Sequence, residues 1–173
     1  MTATSLAHVV KAYDVRGTVP DQLDTRVTRA LGAAFADVVV IPEGAGACVV
    51  GHDMRDTSPE LSSAFADGAR SRGVDVTLIG LASTDGLYYA SGALDLPGAM
   101  FTASHNPAAY NGIKLCRAGA KPVGKDSGLL IISDEVIDGV PPHDGAAGTI
   151  TDRDVLAEYG EFLRGLVDSS ELR

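Results

Sequence analysis

Thr102-Ala103-Ser104-His105-Asn106-Pro107, continued by Ala108-Ala109-Tyr110-Asn111-Gly112-Ile113-Lys114, is the stretch around which this chain is organised. An apolar run, Gly98 to Phe101, leads into it and reads as a buried strand ending at a polar loop. Ser104 and His105 are therefore expected at a strand's carboxyl end, where open α/β sheets bind their ligands. Asn106-Pro107 stops the strand, and Asn111-Gly112 makes a second turn. Ile113-Lys114-Leu115-Cys116 resumes an alternating pattern that turns Lys114 away from the core face. The loop thus brings a hydroxyl, an imidazole and an ammonium into one small region. A serine hydroxyl can carry a phosphoryl group, and a nearby lysine can balance its charge. A Ser–His hydrolase pair is the competitor. It is disfavoured because adjacent residues in extended backbone point opposite ways, and a Gly-x-Ser-x-Gly nucleophile elbow is absent. The residues alone also leave open a plain polar loop whose Asn and Ser bond only their own backbone.

The 173 residues fit one domain, or one domain and a little more. A chain of this size can bury about 70% of its unfolded surface, enough for a real core. Apolar content of 45% and charged content of 21% are those of a soluble globular protein. No apolar run is long enough to span a bilayer, and the N-terminus has no charged-then-apolar leader pattern. A cytoplasmic protein with no membrane partner is expected. The formal charge of -9 argues against a nucleic-acid surface, which needs a basic footprint. It leaves room for a phosphorylated small molecule held in a local basic pocket. Cys48 and Cys116 lie in strand-like runs without metal-ligand spacing, so both read as small buried apolar residues, with no zinc signal.

Working outward towards the N-terminus, residues 1–7 read as a loose end and His8 to Tyr13 as a short strand. Tyr13-Asp14-Val15-Arg16-Gly17 follows, with Gly17 closing it. On its own this is a strand end with a solvated charge pair. Asp24 or Thr25 caps a helix to about Val38, whose Val27, Ala30, Leu31, Ala34, Phe35 and Val38 fall at helical spacing. Ala47 to Val50 is a buried strand. In Gly51-His52-Asp53-Met54-Arg55, His52 carries no assignment. Arg55 either reaches the serine loop or makes an ordinary salt bridge. Ser58 caps and Pro59 opens a helix from Leu61 to about Arg72. Val74 to Ile79 is a strand, and Ser83 or Thr84 starts a short helix to Ala90.

Beyond the loop, residues 117–126 form a polar turn. Ser127 caps a helix from Gly128 to Ile137, although Leu129 to Ile132 also fits a strand. Thr149 to Thr151 is a short edge strand. Asp152 or Asp154 starts a last helix through Val155, Leu156, Tyr159, Phe162, Leu163 and Leu166, an apolar stripe that needs a partner. The alternation predicts an α/β fold with a mixed sheet. The hairpin-like link from Phe101 to Ile113 is the reason for expecting a mixed sheet rather than a wholly parallel one.

Thr-Ala-Ser-His-Asn-Pro followed by Tyr-Asn-Gly-Ile-Lys closely resembles the active-site serine loop of the α-D-phosphohexomutases, in their phosphomannomutase/phosphoglucomutase branch. Tyr13-Asp14-Val15-Arg16-Gly17 is similar to a second motif of that family, and Gly51-His52-Asp53 to a third, with His52 where relatives usually carry Arg. Asp85-Gly86 also stands where the family typically has Thr-Pro. The resemblance implies a three-layer sandwich with helices on both faces, forming a single domain of a multidomain enzyme. Residues 1–152 would be the N-terminal domain, and residues 153–173 a helix leading towards a second domain. It implies that Ser104 carries the transferable phosphoryl group. Arg16 and Lys114 would hold charge and assist proton transfer beside it. His105 would support the loop, and Tyr13, Arg16 and Lys114 would face the hexose phosphate substrate. Mg²⁺ would touch this domain only through the phosphoryl group on Ser104, because the family's Asp-Gly-Asp-Gly-Asp metal motif is not in this sequence. A hexose 1,6-bisphosphate would be the activator. The same resemblance leaves two alternatives: a phosphoglucosamine mutase domain, or a stand-alone module that binds phosphate or a partner without catalysis. The chain by itself is expected to be inactive.

Overall fold

A computed structural model describes residues 8–167. Seven strands and five α-helices are found among the described residues. They are β1 (Val15–Thr18), α1 (Thr25–Phe35), β2 (Ala47–His52), α2 (Ser58–Arg70), β3 (Asp75–Leu81), α3 (Thr84–Leu94), β4 (Gly98–Phe101), β5 (Tyr110–Arg117), β6 (Lys121–Pro122), α4 (Leu129–Asp138), β7 (Ile150–Asp152) and α5 (Leu156–Gly165). The sheet runs β1-β5-β4-β2-β3-β7, with β6 also paired to β5. The β4–β2, β2–β3 and β3–β7 pairs are parallel. The β1–β5, β4–β5 and β5–β6 pairs are antiparallel. The sheet is therefore mixed, and its change of direction falls at β4–β5, where the serine loop forms the link.

Residues alternate between two cores, as a strand's period of two requires. Cys48, Val50, Ala99 and Phe101 face a core completed by Val27, Leu31 and Phe35 of α1, Phe65 of α2 and Ile132 of α4. Val49 and Met100 face the other side with Ile79, Leu87, Ala90 and Val155. Helices α1, α2 and α4 thus cover one face, and α3 the other, which is the expected three-layer arrangement. Phe35, Phe65 and Phe101 pack in series through the larger core, the first pair tilted and the second edge-to-face, with centroids 5.7 and 5.6 Å apart. Helices α1 and α2 cross at very close range. A Cβ on Gly68 would lie 1.9 Å from the Arg29 carbonyl oxygen, and one on Gly32 would lie 2.1 Å from that of Phe65. Only glycine lets these backbones meet.

Several local expectations are corrected. His8 and Val9 are helical, Val10 makes only an isolated bridge to Val15, and the first strand starts at Val15. Gly17 lies inside that strand instead of closing it, where a Cβ would meet Val9 Cγ1 at 2.8 Å. The first long helix does not run evenly to Val38. After Phe35 it widens into a π-helical turn, Ala36–Val40. Ser58 is not a cap: its hydroxyl donates to Asp53 Oδ1 at 2.7 Å from inside α2. Ser127 does not cap α4 either; its Oγ accepts from Gly124 N at 2.7 Å. Leu129 to Ile132 are helical, which settles that ambiguity. Asp24 and Ser83 do cap, accepting from Val27 N and Gly86 N at 2.8 and 3.0 Å. Residues 1–7 and 168–173 lie outside the described residues, so the expectation of a loose N-terminus falls outside them too.

Candidate active site

The serine loop leaves β4 at Thr102 and enters β5 at Tyr110. Thr102 N donates to Gly112 O at 3.0 Å, which ties the two ends together. Close approach there requires glycine: a Cβ on Gly112 would lie 2.5 Å from Val15 O. Ser104 is exposed, at a left-handed φ of 53°. Its N–H donates to Thr102 Oγ1 at 3.0 Å, and Asn106 N–H donates to Ala103 O at 3.0 Å.

The left-handed residue overturns one argument made from extended backbone. Ser104 Oγ and His105 Nδ1 do not point apart; they lie 3.3 Å from each other. Adjacent side chains converge because the backbone between them is coiled. Among the described residues no carboxylate is paired with His105, so the orienting member of a hydrolase triad is missing.

β1 delivers the second part of the site. It pairs with β5, setting Arg16 opposite Gly112 and Val15 opposite Ile113. Arg16 donates from Nη1 to Asn106 Oδ1 at 2.7 Å and makes a short bond from Nη2 to Asp14 Oδ2. Lys114 Nζ reaches the same Asp14 oxygen at 3.5 Å. Asp14 is buried, 6% exposed, so its charge is held beneath two cations that remain partly open. Lys114 alternates with the buried Ile113 and Leu115, as the strand pattern required. Tyr13 is 73% exposed, with its ring resting against Gly124. The structure therefore brings Ser104 and His105 together, and gathers Arg16 and Lys114 on Asp14. Arg16 reaches the loop through Asn106, while Tyr13 stands on its own at the edge.

Sequence reasoning left Arg55 between two readings, and the structure satisfies both. Arg55 Nε faces Asp53 Oδ2 at 3.3 Å. Its Nη1 donates to Pro107 O and Tyr110 O at 3.0 Å, and its Nη2 to Ser104 O at 2.9 Å and Asn106 O at 2.8 Å. Burial would raise the Asp53 carboxyl. Hydrogen bonds from Ser58, Arg55 N and Thr102, with the Arg55 charge, hold it below the usual carboxylate range instead. Asn111, in the same network, was read only as a turn residue. It is fully buried and donates from Nδ2 to Thr57 Oγ1 and Ser58 Oγ at 2.9 Å, while its Oδ1 accepts from Gly112 N at 2.8 Å. The signal for Asn111 was its polarity in a strand of buried residues. A cleft of about 460 Å³, lined by Met54, Arg55, Asp56, Thr57, Asn106 and Ala108, borders the loop. Among the described residues no group of three His, Cys, Asp or Glu side chains could hold a metal ion.

A mixed α/β sandwich with an exposed serine on a cation-flanked loop is one class of domain, and comparison with known proteins says which. The family model described as phosphoglucomutase/phosphomannomutase, alpha/beta/alpha domain I, matches residues 7–135. The chain belongs to this family. Phosphohexose mutases of Xanthomonas campestris pv. campestris are 40% identical over 168 residues, covering 94% of this chain and 36% of theirs. A Klebsiella pneumoniae phosphomannomutase is 40% identical over 152 residues, covering 86% of this chain and 94% of that one. A crystal structure of a phosphoglucomutase/phosphomannomutase family protein from Burkholderia thailandensis superposes with a TM-score of 0.83 at 33% identity. That match covers 95% of this chain and 36% of the other. The chain thus spans about a third of the length of the Xanthomonas and Burkholderia proteins.

Proposed function

We propose that this chain is the phosphoserine-bearing domain of a phosphomannomutase/phosphoglucomutase, with Ser104 as the carrier of the transferable phosphoryl group. The observation that supports this most is the exposed Ser104 hydroxyl on a loop held from behind by Arg55 and bonded at Asn106 by Arg16, which shares Asp14 with Lys114. In this reading a hydroxyl at C1 or C6 of a hexose phosphate attacks phosphorus, and the bond from phosphorus to Ser104 Oγ breaks. The hydroxyl's proton ends on Oγ. The 1,6-bisphosphate so formed turns over and returns its other phosphoryl group to Ser104. Positioning and charge stabilisation carry most of such a transfer.

Arg16 and Lys114 hold the phosphoryl charge and assist the proton's passage. A guanidinium suits the first task because it stays charged and forks onto phosphate oxygens. His105, in contact with Oγ, supports the loop. Tyr13 stands at the rim, where a sugar would lie. Mg²⁺, when bound, would neutralise phosphoryl charge. Asp14 and Asp53 are not free to hold it, since Asp14 is engaged by Arg16 and Lys114, and Asp53 by Arg55 and Ser58, and among the described residues no group of three His, Cys, Asp or Glu side chains could. The ion's protein ligands would belong to a part of the enzyme beyond this domain.

The test is turnover of mannose 1-phosphate or glucose 1-phosphate by the complete native protein with Mg²⁺ and a hexose 1,6-bisphosphate. Ser104→Ala abolishes it in this account. A variant with near-normal turnover would move the phosphoryl carrier elsewhere.

A further inference from the structure

One guanidinium donates to four backbone carbonyls of the serine loop, and those carbonyls lie 49 to 55 residues away from it in sequence. Arg55 is itself aimed. Asp53 Oδ2 faces its Nε, while Asp53 Oδ1 accepts from Arg55 N and from Ser58 Oγ at the start of α2. The Arg55 side chain is only 12% exposed. It sits behind the loop, and its contacts include the carbonyl of Ser104.

The bond to Ser104 O has a consequence for the next atoms along the chain. In a trans peptide the carbonyl and the following N–H point in opposite directions. With Ser104 O turned onto Arg55, the His105 N–H is turned away from it. The Pro107 carbonyl orients the Ala108 N–H in the same way. Among the described residues neither N–H has an intramolecular acceptor, and both residues are exposed. Concave sets of free backbone N–H groups bind anions.

We propose that Arg55 is a positioning residue for phosphoryl transfer: it holds Ser104 in its left-handed conformation and turns the His105 N–H outward as a donor to the phosphoryl oxygens on Ser104. This rests on the reading of Ser104 as the phosphoryl carrier. A lysine at position 55 cannot do the same work, because an ammonium lacks the planar fork that meets carbonyls on both sides. Arg55 never touches the substrate in this account. Its loss therefore shows in the chemical step and not in binding.

The test uses the complete native protein with Mg²⁺ and a hexose 1,6-bisphosphate, measuring kcat and KM separately. Arg55→Lys is expected to lower kcat by about 100-fold, the scale of a misplaced reacting group, with KM within about threefold. Arg72→Lys changes a comparable fork on the far side of the domain, where Arg72 bonds Asp37, and is expected to leave kcat unchanged. Millimolar guanidinium added to Arg55→Ala is expected to restore turnover several-fold. Wild-type kcat in Arg55→Lys would overturn the proposal, as would a loss that Arg72→Lys shares. Should the Arg55 variants fail to fold, Asp53→Asn decides. It keeps the side chain's shape and removes the charge that aims Arg55. A fall in kcat at constant KM supports the proposal, and an unchanged kcat overturns it. Ser104→Ala separates the two levels: if it keeps turnover, the carrier assignment falls, whatever Arg55 does. If it is dead while Arg55→Lys is normal, only the positioning role falls.

Discussion

Ser104 adopts a conformation that an L-residue enters at a cost of about 1–2 kcal/mol. Glycine enters it freely but loses more chain entropy on folding. Ser104→Gly is therefore expected to leave stability within about 1 kcal/mol of wild type while abolishing turnover. Urea unfolding beside an activity assay checks this; a strongly destabilised variant would mean that the serine hydroxyl also holds the fold. The left-handed turn was not legible in the sequence, because serine carries no signal for the sign of φ. That turn brings the Ser104 and His105 side chains together where extended backbone would hold them apart. Lys114 was legible, since strand alternation alone decides which way it faces. Arg55 was half legible. Its Asp53 partner lies two residues away, but nothing in a sequence says which carbonyls a long side chain will reach.

Two elements meet at Gly68 and Gly32 with no room for a methyl group. Gly68→Ala is expected to cost about 3 kcal/mol, the upper end of overpacking, read as a lower urea midpoint. A neutral result would mean that α1 and α2 can separate without penalty. The π-helical turn after α1 carries Asp37 towards Glu135 of α4. There burial, a hydrogen bond with Asp37 and the Asp37 charge, opposed by Arg72, push the Glu135 carboxyl up to about 7. A carboxyl whose pKa rises on folding contributes stability that is fully present below its unfolded pKa, near 4.5, and lost as pH rises through about 7. Thermal stability should therefore decline across that window, and Glu135→Gln should flatten the decline. An equal decline in the variant would place the titrating group elsewhere. Apolar periodicity made the helices legible, down to α4 and α5. Caps were less so. Asp24 and Ser83 bond the helix they precede, whereas the Ser58 hydroxyl turns to Asp53 and Ser127 bonds back to Gly124. Competition from tertiary partners decides such cases and leaves no local mark.

At the scale of the whole molecule, the mixed sheet and its helix layers were legible because hydrophobic alternation, turn residues and a hairpin link all agreed. The last helix's apolar stripe found part of its partner within the chain: Tyr159 and Phe162 pack on Tyr89, with centroids 5.5 and 5.2 Å apart. Leu156 and Leu166 remain exposed. Among the described residues no helix is long and apolar enough to cross a membrane. Cys48 and Cys116 are buried free thiols, as expected, and burial pushes the Cys48 thiol up to about 12. Purified alone, the chain is expected to fold cooperatively yet show negligible mutase turnover, since among its described residues no cluster of His, Cys, Asp or Glu side chains could hold a metal ion. Appreciable conversion of a hexose 1-phosphate by the chain alone would contradict that division of labour. The central claim is tested most directly by incubating the complete native protein with a hexose 1,6-bisphosphate and mapping the added mass to a residue. This account predicts one phosphoryl group, on Ser104, that is lost again to added hexose phosphate. A phosphoryl group on another residue, or none on a protein that still turns over, would contradict it.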